Sequence, residues 1–431
     1  MKNILRSIVV FGITLLARAV VKKYKPQIVV VTGSVGKTSA KDAVAGVLAL
    51  TRYIRKSEKS YNSDTGVPLT VLGCKNPWNN YAGWFRVFRE GFALLFFPNH
   101  YPEILVLEVG ADKPGDIRSL MSWITPSVVV LTRLPEIPVH VEAYPSPDAV
   151  REEEFIPARM LLPQGVLVMN ADDPFGSELA KTVSETRVSY GIFEEADVSA
   201  EDIAFAYNTH GEVQGMSAVV HVAGKKHTIA LPGVLGVTHI YPTLAALAVG
   251  EIFNVPVRDA LSVLSKEVRA PGRMRIIPGI KNTTIIDDTY NASPVATEEA
   301  LSVLHVLGEK KRKIVVLGDM LELGIYSVAE HERIGALIPK HTDTLITVGI
   351  RARAIAEMAQ KEGMSEKEIY TFDTSHEAKE KVKELLGDGD IVLVKGSQGM
   401  RTERIVEAIM REPLRAKELL ARQEKEWKER E

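Results

Sequence analysis

Thr32-Gly33-Ser34-Val35-Gly36-Lys37-Thr38-Ser39 is the stretch of this 431-residue chain best suited to do chemistry. It lies between a β-branched run, Ile28 to Val31, and apolar residues at helical spacing, Ala43, Val44, Val47 and Leu48. A glycine-rich turn between a buried strand and a helix is the setting of a phosphate-binding loop. Gly33 and Gly36 let the backbone turn tightly, so amides from Gly33, Ser34, Val35 and Gly36 through to Ser39 can face phosphate oxygens. Lys37 can then reach the terminal phosphates of a nucleotide, and the Thr38 hydroxyl can bind Mg²⁺. The spacing is shorter than the full G-x-x-x-x-G-K-[ST] pattern, and the bland alternative is a glycine turn with a solvated lysine. The buried strand directly before it favours the nucleotide. Glu108 closes a second apolar run, Ile104 to Leu107, at the strand end where α/β sheets place ligand groups. A glutamate there is either a metal ligand or half of an ion pair.

These residues need a sheet to hold them. Val128 to Leu131 and Val166 to Met169 are further short apolar runs, so the pattern reads as βαβ units with a mostly parallel sheet. From Ile203 to Leu231 the alternation has a period of two, which suggests antiparallel edge strands, and Leu244 to Phe253 reads as a helix. Ile314 to Leu317, Thr344 to Val348, Ile369 to Phe372 and Ile391 to Val394 form a second doubly wound block with amphipathic helices between them. The boundary falls near Leu307–Arg312, where Gly308-Glu309-Lys310-Lys311 reads as a solvated linker. The fold expected is α/β: an apolar N-terminal helix over residues 1–26, a central P-loop ATPase domain over 27–308, a C-terminal Rossmann-like domain over 309–411 and a charged, frayed helical tail over 412–431.

Composition narrows the function classes. Apolar residues make up 45% and the net charge is −2, so the chain has ample core and no electrostatic grip on nucleic acid. One cysteine, Cys74, excludes an internal disulfide and a thiolate zinc site and fits a reducing cytosol. Ser7 to Ala17 is nearly all apolar, with Arg6 before it, then Arg18 and later Lys22, Lys23 and Lys25. It reads as a secretory signal, a membrane anchor or surface helix, or a buried helix. A cytosolic nucleotide loop just downstream argues against the first. Pro77 to Tyr101 is rich in aromatics, with Trp84, Phe85, Phe88 and Phe92 at helical spacing. That stripe either packs on the sheet or, with the N-terminal helix, lies on a membrane face.

With these motifs in order, the chain resembles the Mur ligase family, which joins amino acids or peptides to the bacterial cell-wall precursor. The loop resembles the family's ATP loop. Tyr61-Asn62-Ser63-Asp64-Thr65-Gly66-Val67-Pro68-Leu69-Thr70, Leu107 to Ile117, Asn170-Ala171-Asp172-Asp173 and Gly272-Arg273-Met274 match further family segments. Asp287 to Pro294, Gly318 to Gly324 with His331, and Lys395-Gly396-Ser397 complete a series running nearly the whole chain. Asp287-Asp288-Thr289-Tyr290-Asn291-Ala292-Ser293-Pro294 and the Gly318 segment favour the branch that adds D-alanyl-D-alanine.

The resemblance implies ATP and Mg²⁺ as cofactors, and a muramyl-peptide acceptor and D-Ala-D-Ala as partners of a cytoplasmic monomer. Lys37, Glu108, His140 and Glu154 would be catalytic, with Thr38, Glu108, His140 and Glu154 at metal. Arg273 and Asn291 would contact the nucleotide, with a surface ion pair and a helix cap as their bland alternatives. Asn62, Thr65, Lys395 and Ser397 would meet substrate; Asp319 and Glu322 fall in the same class, with capping as the alternative. Three departures from the family stand out. Its glycine-histidine-asparagine helix start appears as Gly236-Val237-Thr238-His239. Its uridine-binding domain before the ATP loop is not expected, since only 31 residues precede Thr32. The lysine it carbamylates to hold a second Mg²⁺ falls on Glu154, inside a Glu152-Glu153-Glu154 run that otherwise reads as a solvated face. The rivals are a Mur-type ligase with another acceptor or amino acid, and a degenerate nucleotide-binding scaffold.

Overall fold

Uninterrupted β-branched runs become strands covered on both faces, as parallel sheets require. In the computed structural model, which describes residues 2–58, 61–78, 80–209, 213–266, 270–308, 311–423 and 427, they build two sheets. The first contains β1 (Gln27–Thr32), β2 (Ile54–Lys56), β3 (Ile104–Glu108), β4 (Val128–Leu131), β5 (Val166–Asn170), β6 (Thr186–Gly191), β7 (Val198–Tyr207), β8 (Val213–Val222) and β9 (Lys225–Pro232). Its order is β2-β3-β1-β4-β5-β6-β7-β8-β9, and every pairing from β2 to β7 is parallel. The period-two stretch falls on β7 to β9, at one end of that order. The register sets Val31 beside Glu108 and Thr32 beside Leu131, so the loop after β1 emerges between two neighbouring strand ends.

The chain divides into two compact units, one of Met1–Ile203, Ala218–Ile229 and Thr238–Glu267, the other of Ala204–Ser217, Ala230–Val237 and Val268–Glu431. In the first, α1 (Lys2–Tyr24), α2 (Lys37–Leu48), α3 (Gly66–Leu72), α4 (Tyr81–Phe96), α5 (Asp116–Met121) and α6 (Pro147–Arg159) position the site. α2 buries Ala40, Ala43, Val44, Val47 and Leu48. α1 buries one side, Ile13, Leu16, Ala17 and Val20, where it packs on α3 and α4. No helix among the described residues is long and apolar enough to cross a membrane. α4 packs on α1 and α3, with Val87, Gly91 and Leu94 buried.

The second unit holds β10 (Arg275–Pro278), β11 (Thr284–Asp288), β12 (Lys313–Gly318), β13 (Thr344–Val348), β14 (Ile369–Phe372) and β15 (Ile391–Lys395). Their order is β10-β11-β15-β12-β13-β14, parallel except for β10. The expected boundary at 308/309 is therefore corrected: this unit takes in residues from Val268. β11 pairs with β15, distant in sequence, and local periodicity carries no trace of such a partner. Glu309 and Lys310 of the expected linker lie outside the described residues.

The tail is corrected too. Ala416, Leu419 and Leu420 belong to the apolar core formed with Ile285, Val316, Val394 and Ile409. A sequence dominated by charge hides these few anchors; residues 424–426 and 428–431 lie outside the described ones. Leu420→Ala should therefore lower stability by about 2–5 kcal/mol. Leu414→Ala, at a fully exposed position, should stay within about 0.5 kcal/mol. Denaturant unfolding of the two variants checks this, and equal small losses would detach the tail.

Candidate nucleotide and metal site

The loop after β1 is shaped by what its glycines permit. Gly33 sits at φ +115, and a Cβ there would crowd the backbone amides of Thr132 and Arg133 at 3.2 Å. Gly36, at φ +85, opens α2 without a side-chain cap. The first helical hydrogen bond runs from the Ala40 amide to the Gly36 carbonyl, so the amides of Lys37, Thr38 and Ser39 form the helix's positive end. The amides of Ser34 and Val35 donate instead to the Arg133 carbonyl. The Ser34 hydroxyl is buried without a hydrogen bond in the structure. Lys37 folds back to donate to the Gly33 carbonyl, and a Cβ at Gly110 would lie 3.4 Å from its Nζ and 3.0 Å from Asn62 Nδ2. Thr65, by contrast, sits at the start of α3 with its hydroxyl on Asp64, 3.1 Å away.

Thr38 Oγ1 donates to Glu108 Oε1 at 3.1 Å. Oxygens bound side by side on an octahedral Mg²⁺ at 2.0–2.1 Å lie about 2.9 Å apart, so this pair fits that ion, with phosphate and water oxygens filling its other positions. Lys41 Nζ stands 3.7 Å from Glu108 Oε2 and is 1% exposed. Sequence reasoning missed Lys41, although its place one turn after Lys37 was a usable signal.

The Glu152-Glu153-Glu154 run is not a solvated face. Glu152 is at the surface with Arg159, at 2.6 Å. Glu153 Oε1 accepts from the amides of Ile117 and Arg118 at the start of α5. Glu154 is 2% exposed and meets the loop: Oε2 accepts from the Gly33 amide at 3.1 Å and from Thr32 Oγ1 at 3.0 Å, and Oε1 is 3.4 Å from Lys37 Nζ. Its carbonyl also accepts from Thr32 Oγ1, at 2.7 Å, so the backbone of α6 touches the loop's strand and the short side chain reaches. His140 has a left-handed backbone, φ 66, and its Nε2 is 3.8 Å from Asp112 Oδ1. Among the described residues no three acid, histidine or cysteine side chains converge as a metal site. The expected quartet of Thr38, Glu108, His140 and Glu154 thus separates into a Thr38–Glu108 pair, Glu154 on the loop, and His140 near Asp112.

In the second unit the strand ends carry another cluster. Asp288 Oδ2 pairs with Lys395 Nζ at 2.5 Å, and Lys395 also donates to the Asn291 carbonyl at 2.9 Å. Lys395 is 2% exposed, so it holds the Asn291 turn in place of facing an open site. Asn291 itself is exposed, two residues ahead of the Ser293 cap position, and no side chain caps that helix. Arg273 stacks on the Tyr290 ring, its guanidinium carbon 4.2 Å from the centroid. Ser397 Oγ accepts from the Leu321 amide at 2.9 Å, and Asp319 accepts from the Ala352 amide at 2.8 Å. Glu322 has a left-handed backbone, φ 66. His331, buried and shifted toward its neutral form by burial, accepts from the Met320 amide at 3.0 Å. Arg422, another residue that sequence reasoning missed, donates to the carbonyls of Thr289 (3.0 Å) and Tyr290 and pairs with Glu403 at 3.0 Å. Thr238 and His239 lie in a short 3-10 turn of Val237–His239.

A parallel sheet with an anion-receptive turn at a strand end, and a second doubly wound unit in the same chain, defines an α/β nucleotide-binding protein. The Mur ligase middle domain matches residues 91–250 and the Mur ligase glutamate ligase domain matches 272–398. The chain belongs to the Mur ligase family. It is 29% identical over 401 residues to the UDP-N-acetylmuramoyl-tripeptide–D-alanyl-D-alanine ligase of Bacillus subtilis, covering 93% of this chain and 79% of that one. MurF from Acinetobacter baumannii superposes with a TM-score of 0.74 at 25% identity, over 92% of this chain and 79% of that one. MurF from Thermotoga maritima in complex with ADP gives 0.73 at 25%, over 93% and 83%.

Asp287 supplies a pH signature. Burial pushes its carboxyl up from 3.8 to about 6, against hydrogen bonds from Thr289 and Gly272 that favour the charged form. The native state keeps this proton up to about pH 6, whereas the unfolded chain releases it near 3.8. Its contribution to stability is fully present below pH 3.8 and is lost as pH rises through about 6. Asp287→Asn removes that slope: the stability of wild type relative to the variant should fall by about 2 kcal/mol between pH 4 and 7. Denaturant melts across that range test it, and parallel pH curves would refute the shift.

Proposed function

We propose that this chain is an ATP-dependent amide ligase that joins D-alanyl-D-alanine to the carboxylate of a muramyl tripeptide, as its named relatives do. The observation that carries the reading is the Thr38–Glu108 pair beside the uncapped start of α2, in a chain of this family. A carboxylate is a poor electrophile, so one of its oxygens first takes the γ-phosphoryl group of ATP and ADP leaves. The dipeptide amine then attacks the acyl carbon, the C–O bond to phosphate breaks, and the amine loses a proton as the amide forms. Lys37 and the amides at the start of α2 hold the phosphates, while Thr38 and Glu108 would hold Mg²⁺, which supplies charge neutralisation and Lewis acidity when bound. Arg273, stacked on Tyr290, and Asn291 are assigned to the nucleotide, Asn62 and Thr65 to the acceptor side, and His140 to the metal's surroundings. Lys395 and Ser397 act by positioning the turns they hold. We also propose that the chain works as a monomer on the cytoplasmic face of a membrane.

Purified protein with ATP, Mg²⁺, several muramyl tripeptides and D-Ala-D-Ala decides the reading by mass spectrometry. An amide product, with phosphate release requiring both acceptor and dipeptide, supports it. A product only with another amine or acceptor makes this a related ligase, and nucleotide binding without turnover makes it a scaffold. Lys37→Ala should lower product formation at least a hundredfold while circular dichroism stays native; activity within threefold of wild type would sink the loop assignment.

Glu154 presents a carboxylate to Lys37 and the Gly33 amide without needing carbon dioxide, so turnover should be indifferent to bicarbonate. Glu154→Gln places an N–H toward either Lys37 or the Gly33 amide. It should cut turnover tenfold or more, about 1.4 kcal/mol per decade, and raise the Mg²⁺ requirement. Normal turnover and normal Mg²⁺ dependence would remove Glu154 from the reaction.

A further inference from the structure

α1 and α4 run side by side in the same direction. Gly12 lies against Phe88, where a Cβ would meet the ring at 2.8 Å, and Gly91 lies against Leu16 at 3.0 Å. Further along, Lys23 Nζ donates to the carbonyls of Leu94, Leu95 and Phe97 at 2.8, 2.9 and 3.3 Å, closing the end of α4. The partner numbers rise together, so the helices are parallel.

At about 100° per residue, the rest of each helix follows from these contacts. On α1, Gly12, Leu16 and Lys23 face α4, and Ile13, Ala17 and Val20 face inward. Ile8, Phe11 and Leu15 point outward, 62%, 66% and 50% exposed. On α4, Phe88 and Gly91 face α1, and Val87 and Leu94 face inward. Tyr81, Phe85, Phe92 and Phe96 point outward, 73%, 74%, 49% and 75% exposed. Two parallel helices that bury the same side turn their remaining stripes to one common outer side. The result is a continuous apolar, aromatic face, extended by the exposed Phe97.

Charge says what covers it. α1 carries Lys2, Arg6, Arg18, Lys22 and Lys23 and no acid, and α4 carries Arg86 and Arg89 against Glu90 alone. Glu90 is turned to the Cys74 thiol, 3.3 Å away. The whole chain, by contrast, has a net charge of −2. On the wheel, Arg18 and Arg89 fall at the two outer margins of the apolar face. An aromatic and aliphatic face with a basic margin is the complement of an anionic bilayer surface, where rings enter the headgroup boundary and cations meet lipid phosphates.

We propose that the outer face of the α1–α4 pair is a docking surface for an anionic lipid bilayer, on which the chain lies without spanning it. This rests on the membrane-face part of the function proposed above and is independent of the ligation chemistry. Flotation of the full chain with vesicles of three parts phosphatidylcholine to one part phosphatidylglycerol should carry the protein up. Pure phosphatidylcholine, or 0.5 M salt, should carry at least tenfold less. Phe85→Ser with Phe96→Ser should lower anionic-vesicle binding at least tenfold, with melting temperature and vesicle-free ATP turnover unchanged. Arg18→Glu with Arg89→Glu should do the same and abolish the lipid-charge preference. Absence of flotation with anionic vesicles would overturn the proposal, as would equal binding to both vesicle types unaffected by the serine pair. A dimer in sedimentation that the serine pair dissolves, without vesicle binding, would assign the face to a second copy. Ligase turnover measured without vesicles stands or falls separately.

Discussion

The register of β1 between β3 and β4 is the constraint on which the first site depends. Because Val31 pairs with Glu108 and Thr32 with Leu131, three chain segments leave the sheet at one edge. Thr132 then donates to the Thr32 carbonyl through both its amide and its hydroxyl, at 2.9 and 3.0 Å. That pair of hydrogen bonds holds Thr132 so close that no side chain fits at position 33, which is why glycine stands there. A slip of one residue would turn Glu108 to the opposite face and separate it from Thr38. The Thr38–Glu108 contact is therefore a consequence of strand pairing, made before any ligand arrives.

Glu154 shows how a helix joins that arrangement. Two neighbouring buried glutamates on α6 take different partners, because successive helical positions point about 100° apart. Glu153 caps α5, while Glu154 satisfies the amide of Gly33 and the hydroxyl of Thr32. A buried carboxylate without such donors would cost several kcal/mol or stay protonated. With them and Lys37, the carboxylate occupies the anion-favouring ground of the loop, where incoming phosphates must share Lys37.

Much of this was legible in the sequence, for identifiable reasons. The loop and the buried strands announce themselves because glycine placement and β-branched runs are local signals. The entry of β10 and β11 into the second sheet is not local; it depends on β15, and no spacing encodes a distant partner. Arg422 was hidden for a related reason. It sits in a charged tail, yet Glu403, Thr289 and Tyr290 together draw it into the interior. Glu154 was placed by resemblance, but its contact with the loop rests on how closely α6 approaches β1, which only the packing reveals.

The two units bury a lysine against a carboxylate at a strand end, and the difference between the pairs is instructive. In the second unit Lys395 stands 2.5 Å from Asp288 and spends another donor on the Asn291 carbonyl. That pair is closed, and removing one partner of such a pair leaves an uncompensated buried charge, a loss of about 3–5 kcal/mol. In the first unit Lys41 stays 3.7 Å from Glu108 while Thr38 touches the other carboxylate oxygen. The lysine thus stands farther off than in the Lys395–Asp288 pair, and it faces the carboxylate oxygen that Thr38 does not. Pair geometry thus separates the two sites: the tight pair fixes a turn, and the longer pair sets a lysine behind the carboxylate that meets Thr38 of the loop.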